Sequence, residues 1–184
     1  MKTDGMVKSC LEIYSACSGA APLQLQAEIY SGPAVPMGFL TLPERRRRKI
    51  MKETWNVLDP DEYVKHNPFM GYTNMKIEKI SPECSEISMK ITHGVTNLMG
   101  MVHGGMLYAL ADVVTGLTAR ADGRKYVTQS AHINFIRNVS EGTVYAKGIL
   151  IRRGRSITIV RSEVTDEKGN LLADVTVDMF CLGE

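Results

Sequence analysis

The chain predicts an α+β fold in which an antiparallel six-stranded sheet wraps around one long central helix. Three observations carry that expectation. After residue 72 the hydrophobic period is two in six separate stretches. Between the second and third of these lies "HGGMLYALADVVTGLTAR", apolar nearly all round yet too short to span a bilayer. The later links, "NVSEG", "RRGR" and "DEKGN", are short and turn-rich, as antiparallel neighbours require. A helix apolar on almost every side must be buried on most of them, and a curved sheet would bury it.

Taken in order, residues 1–36 show weak periodicity and end in a Gly/Pro-rich stretch. They read as an extension with one or two short helices or none, with Met37 as an alternative start. Glu12, Pro22 and Glu28 interrupt any apolar centre, so the segment makes a poor secretory signal. Residues 37–67 form an N-terminal helical segment: Pro43 suits a first helical turn, and the pattern predicts a helix through about Trp55. The basic run Arg45–Lys49 reads as a solvated helix face. Residues 68–184 hold the main domain. "YTNMKIEKI" and "CSEISMKITHG" are strands joined by a Ser-Pro-Glu turn, hence a hairpin. The apolar helix follows over about 104–120, stopped by the Asp-Gly of "ADGRK". "YVTQSAHINFIR", "GTVYAKGILIRR", "RSITIVRSEVTD" and "LLADVTVDMFCL" complete the sheet.

Composition narrows the partners. The 184 residues are 44% hydrophobic and 23% charged with a net charge of +2, which fits a globular protein and gives no global argument for nucleic acid. Cys10, Cys17, Cys84 and Cys181 lack CxxC pairing and metal-ligand spacing with histidine. The expectations are reduced thiols, no metal, no membrane partner and a cytoplasmic location.

The chemistry concentrates in "NLMGMVHGGMLYALADVVTG", residues 97–116. Gly104 and Gly105 stand at the helix start, where the first N–H groups lack internal partners and the macrodipole favours negative charge. Such donors stabilise an oxyanion developing on a carbonyl, although glycine is also common at any tight loop-to-helix junction. Asp112 is the one charge in the stretch. A carboxylate in an apolar helix suits a general base or nucleophile, or a structural hydrogen bond to a strand. Gly104 and Asp112 lie roughly 12 Å apart along the axis and about 80° apart around it, so one small carbonyl cannot touch both on one straight helix. If both act on one ester or thioester, two antiparallel helices must meet at a two-fold axis, giving a dimer with composite sites.

Other residues fit around that centre. Asn97 precedes the helix and is placed to hold the loop or the leaving group. His103 beside the glycines orients the loop or contacts the leaving group, whereas His66, His93 and His132 read as ordinary surface or loop residues. In "TQSAHINF", strict alternation places Thr128, Ser130, His132 and Asn134 on one strand face, either solvated or, at Ser130, positioning a water beside a partner's helix. Arg137, Arg152, Arg153 and Arg155 read as solvated turn charge or as a clamp for a phosphorylated ligand such as coenzyme A, with Lys147 and Lys125 adding to the field. Met99, Met101, Met106 and Tyr108 are core residues or the lining of an acyl tunnel.

The pattern Asn97, His103, Gly104, Gly105 and Asp112, with Ser130 eighteen residues beyond, resembles the PaaI-like branch of the hotdog-fold acyl-CoA thioesterases. "GRSITIVRSEVTDEKGNLLADVTVDMF" resembles that family's last two strands, and the resemblance covers about residues 68–182. It implies hydrolysis of an acyl-CoA to a free acid and CoA, without a cofactor or metal. Asp112 would be base or nucleophile, the Gly104 N–H would polarise the carbonyl, and Ser130 would orient the water. Asp112 and Ser130 would come from the other subunit, with Asn97 and His103 on the leaving-group side. Homodimers or dimers of dimers are implied as well. Competing readings are a non-catalytic acyl-CoA sensor, which has no need of Asp112, and a dehydratase or hydratase, whose Asp and His are arranged differently. A structural dimerisation domain suits the site residues least. Neither the acyl chain nor the choice between CoA and acyl carrier protein is legible.

Overall fold

A computed structural model describes residues 58–183 together with Pro43 and Arg45. The elements below lie within the compact unit Glu53–Glu184. The extension 1–36 and, apart from Pro43 and Arg45, the helix expected through Trp55 lie outside the described residues.

Two short helices lead in. In α1 (Pro60–His66) proline occupies the first turn, and the Asp59 carboxylate accepts from the N–H groups of Asp61 and Glu62 at 3.0 and 3.2 Å. α2 (Pro68–Tyr72) follows, and Asn74 turns the chain with φ 55°. Tyr63 and Met70 send their side chains into the main core. The strand expected to open at Tyr72 therefore starts at Met75: β1 (Met75–Lys79) pairs with β2 (Cys84–Lys90) around the Ser-Pro-Glu turn. The Ser81 hydroxyl accepts from the N–H groups of Glu83 and Cys84, which closes that turn.

The long helix α3 (Gly104–Arg120) is followed by β3 (Lys125–Phe135), β4 (Thr143–Arg153), β5 (Ile157–Thr165) and β6 (Leu171–Gly183). All pairings are antiparallel, in the order β1-β2-β4-β5-β6-β3, and α3 packs across the concave side against β2 through β6. Leu107, Leu110, Val114 and Leu117 of α3 meet Ile87, Met89, Val144, Val160, Val177 and Met179 of the sheet, all nearly inaccessible. Burying each contributes roughly 1.5–3 kcal/mol. Helix and sheet come close at Gly148. A Cβ there would stand 2.6 Å from the Thr118 hydroxyl and 2.9 Å from the Val114 carbonyl. Only glycine lets β4 approach the helix backbone so closely.

One connection departs from expectation. "NVSEG" does not join neighbours, because β3 pairs with β6 and β4 lies between β2 and β5. The segment crosses beside the start of α3: the Val139 carbonyl accepts from the Val102 N–H, the Gly142 carbonyl accepts from the Ile91 N–H, and the Asn138 amide donates to the Val102 carbonyl. Its backbone groups are satisfied by loops rather than by a strand partner, which frees it to cross over. Among the described residues β3 is thereby an edge strand, with β6 as its one neighbour.

Candidate active site

The start of α3 is built by its own cap. His103, in extended conformation (φ −63°, ψ 134°), accepts at Nδ1 from the Gly105 N–H at 2.9 Å. Its carbonyl accepts from the N–H groups of Met106 and Leu107. Of the first-turn amides that a helix cannot satisfy internally, this leaves the Gly104 N–H without an acceptor among the described residues. The capping bond leaves Nδ1 unprotonated, so a neutral His103 carries its proton on Nε2. Gly105, expected to touch a substrate, gives its N–H to this cap instead. Nothing in the backbone compels glycine at 104: a Cβ there would make ordinary contact with the Phe135 ring at 3.4 Å.

The loop leading in is held by Asn97. Its side-chain oxygen accepts from the N–H groups of Met99 and Met101 at 2.9 and 3.3 Å, and Gly100 completes the turn at φ 72°. Leu98 and Met99 are exposed beyond it, as are Phe135 and Ile136 at the end of β3, so the entrance beside Gly104 is apolar.

Asp112 lies two turns into α3. The C-terminal half of the helix, 114–119, is buried throughout, but Gly105, Tyr108, Ala109, Asp112 and Val113 form a partly open stripe along the N-terminal half. Asp112 is half-buried there, and Oδ1 accepts from the Thr128 hydroxyl at 2.7 Å. On the same stripe, burial and the charge of Asp112 push the Tyr108 phenol above its ordinary pKa.

Thr128 reaches Asp112 because β3 carries a bulge. Thr128 opposes Met179 and Ser130 opposes Asp178, leaving Gln129 as the extra residue. Before the bulge, Tyr126 and Thr128 face the helix; after it, Ala131, Ile133 and Phe135 do, since they oppose the inward-facing Val177, Val175 and Ala173. The single face expected for Thr128, Ser130, His132 and Asn134 is therefore broken. Ser130 turns to the outer side, where its hydroxyl donates to Asp178 at 2.6 Å. Thr128 is the partner of Asp112 that sequence alternation missed. Asn138, which ties the crossover to Val102, also lay hidden in a turn.

The expected basic clamp divides between the two ends of α3. Arg137 lies at the Gly104 end, following Phe135 and bonded through its backbone N–H to Leu172. Arg153 lies at the other end, roughly 24 Å along the helix. There it donates to the carbonyls of Pro82, Thr118 and Ala119 and to Asp122, closing the C-terminus of α3. Arg153 is thus a structural cap, not a solvated or phosphate-facing residue. Arg152 and Arg155 are exposed near that same end. Lys147 pairs with Glu86 on the outer sheet face at 3.5 Å. Burial disfavours ionisation of Asp122, but the backbone and guanidinium of Arg124, the Tyr126 hydroxyl and the charge of Arg153 outweigh it. They hold the carboxyl below its ordinary range.

Among the described residues no three His, Cys, Asp or Glu side chains converge on a metal position, and no helix is long and apolar enough to cross a membrane.

Residues 99–173, from the entry loop into β6, match the thioesterase superfamily. A protein of Deinococcus radiodurans that carries an esterase name by similarity is 31% identical over 101 residues, covering 54% of this chain and 68% of that one. The phenylacetic acid degradation protein PaaI of Thermus thermophilus superposes with a TM-score of 0.60 at 29% identity, over 62% of this chain and 99% of the other. A hypothetical thioesterase protein of Streptococcus pneumoniae, solved with coenzyme A, gives a TM-score of 0.59 at 26% identity, over 61% and 92%. That last protein has also been solved with one threonine or one aspartate changed to alanine, at positions sixteen apart, the spacing of Thr128 and Asp112 here.

Proposed function

The chain belongs to the thioesterase superfamily, a hotdog-fold thioester hydrolase of the PaaI-like kind, and from that premise we propose that its substrates are acyl-CoAs, hydrolysed to a free carboxylic acid and CoA in sites shared between two copies. The observation that carries this reading is the pairing on α3 of an unclaimed Gly104 N–H with a half-open Asp112 carboxylate two turns further on. Coenzyme A in the Streptococcus relative supports the carrier.

In this mechanism the thioester carbonyl oxygen accepts from the Gly104 N–H of one protomer, with the positive end of the helix dipole behind it. Asp112 of the partner acts on the carbonyl carbon from the other side. As general base it takes a proton from water while the oxygen of that water bonds to carbon; as nucleophile it bonds to carbon directly, and water then releases the acid. In both routes the C–S bond breaks and the CoA sulfur leaves with a proton. Thr128 holds the carboxylate in place. His103 presents Nε2 toward the leaving-group side, and Asn97 keeps the entry loop shaped. In this reading Arg137, which lies near the Gly104 end, binds the CoA phosphates. The residues need no metal or cofactor for these steps.

The helix spacing supports a composite site: about 12 Å along one helix separates the two groups that act on one carbonyl in this reading. The open stripe on α3 and the edge of β3 that no described strand pairs lie side by side, bridged by the bond from Thr128 to Asp112, and together they give a second copy a surface to cover.

The test is free-thiol release from a panel of acyl-CoAs, comparing the native protein with Asp112→Asn. The variant is expected to keep its fold and lose turnover by about 10³-fold or more; equal rates would overturn the reading. A mixing experiment tests the shared site. Dimers randomly reassembled from equal Asp112→Asn and Gly104→Pro chains should recover about a quarter of native activity, because half are mixed and each mixed dimer holds one intact site. Sites within single chains would recover none.

A further inference from the structure

We propose that Tyr108 is a specificity-determining residue that faces its own copy across the two-fold axis and forms the wall between the two active sites, limiting the acyl group that each accepts. The inference rests on the composite site proposed above and goes beyond it.

If Gly104 of one α3 lies opposite Asp112 of the other and the helices are related by a two-fold axis, the residue midway between them lies opposite itself. That residue is Tyr108. It stands one turn, roughly 6 Å, from each reacting group along its own helix. A single Tyr108 therefore borders both sites: the one to which its chain gives Gly104 and the one to which it gives Asp112.

The side chains agree with that placement. Gly105 and Ala109 beside it are small, so the ring is the largest group on the open stripe. Two other tyrosines bordering the core are anchored, Tyr63 by Arg120 at 3.4 Å and Tyr126 by Asp122 at 2.8 Å. The Tyr108 hydroxyl has no such bond among the described residues, and its ring is half-exposed toward the stripe in the single chain. An apolar ring with an unanchored polar tip beside a carboxylate suits the end of an acyl cavity, where the tip retains water and the ring meets the chain.

Two experiments test this. The first compares kcat/KM for acyl-CoAs from acetyl to palmitoyl, with phenylacetyl-CoA added, in native protein, Tyr108→Ala and Tyr108→Phe. Removing the wall in Tyr108→Ala should raise the ratio of long-chain to short-chain kcat/KM by about tenfold or more. Tyr108→Phe keeps the ring and should keep the native order of preference. A Tyr108→Ala ratio within about threefold of native, in an active protein, overturns the specificity role. The second reads position without activity. In a chain whose four native cysteines are serine, Tyr108→Cys should yield a covalent dimer on mild oxidation. Failure to cross-link in a protein that elutes as a dimer overturns the self-pairing. If the mixing experiment recovers activity and these arms fail, only this inference falls. If mixing recovers none, the composite site falls and takes this inference with it.

Discussion

Gly104→Pro deletes the one first-turn N–H of α3 that no described residue accepts, and the structure allows it at small cost. Gly104 is the first residue of the helix, where proline is favoured because its missing N–H breaks no internal bond. His103 before it already has φ −63° and ψ 134°, the extended conformation that a residue preceding proline adopts. The new Cβ meets the Phe135 ring at an ordinary 3.4 Å. The lower chain entropy of proline stabilises by about 0.4–1 kcal/mol, so the melting temperature should move by less than about 5 °C. Turnover is a different matter. Loss of one oxyanion donor costs about 3–4 kcal/mol in the transition state, a fall in kcat of about 10²–10³. Gly104→Ala supplies the control: it adds a comparable Cβ and keeps the N–H, so it separates crowding from donor loss. The assay is free-thiol release from the best acyl-CoA at saturation, with thermal melts on the same samples. A Gly104→Pro protein that turns over within about threefold of Gly104→Ala would refute the assignment of this N–H to the oxyanion.

Two further predictions concern the fold beneath the site. Gly148→Ala should lower the melting temperature by roughly 10 °C, since a Cβ at 2.6 and 2.9 Å from Thr118 and Val114 overpacks the helix–sheet contact by about 1–3 kcal/mol and disturbs the Thr118 hydroxyl bonds; an unchanged melt would show that β4 can retreat. Asp122→Asn should destabilise by about 1–3 kcal/mol at pH 7. The folded pKa of Asp122 lies below its unfolded value, so its contribution is present above about pH 4 and lost as pH falls through the folded value. Urea denaturation from pH 7 to pH 2.5 should show native and variant stabilities converging below about pH 4, and a gap constant across that range would contradict the ionic role.

Much of the architecture was legible because it is local. The shift from period two to an all-round apolar helix and back placed six strands and α3 close to their observed bounds, and Asp-Gly marked the helix stop. The start of β1 slipped because Tyr72 belongs to α2, a five-residue helix whose reason is tertiary: it buries Met70 in the core. Short links suggested neighbours, yet "NVSEG" crosses over to another part of the sheet, because its backbone finds partners in the loops around α3. Strand order is a long-range choice, and loop length alone does not encode it.

The site divides in the same way. Asn97, His103, Gly104 and Asp112 stood out by spacing along one short stretch, since helix geometry fixes how residues on one helix relate. The sequence by itself also determined that Gly104 and Asp112 of one helix lie too far apart to act on one carbonyl. Only the tertiary structure decided what faces them. A single extra residue, Gln129, inverts the alternation of β3, bringing Thr128 to Asp112 and sending Ser130 to the outer face with Asp178. Likewise Arg153, one of four arginines that looked alike in sequence, closes the far end of α3 while Arg137 stays near Gly104. A bulge and a cap are set by partners more than thirty residues away in the chain, so no window of sequence around either residue contains the reason for its place.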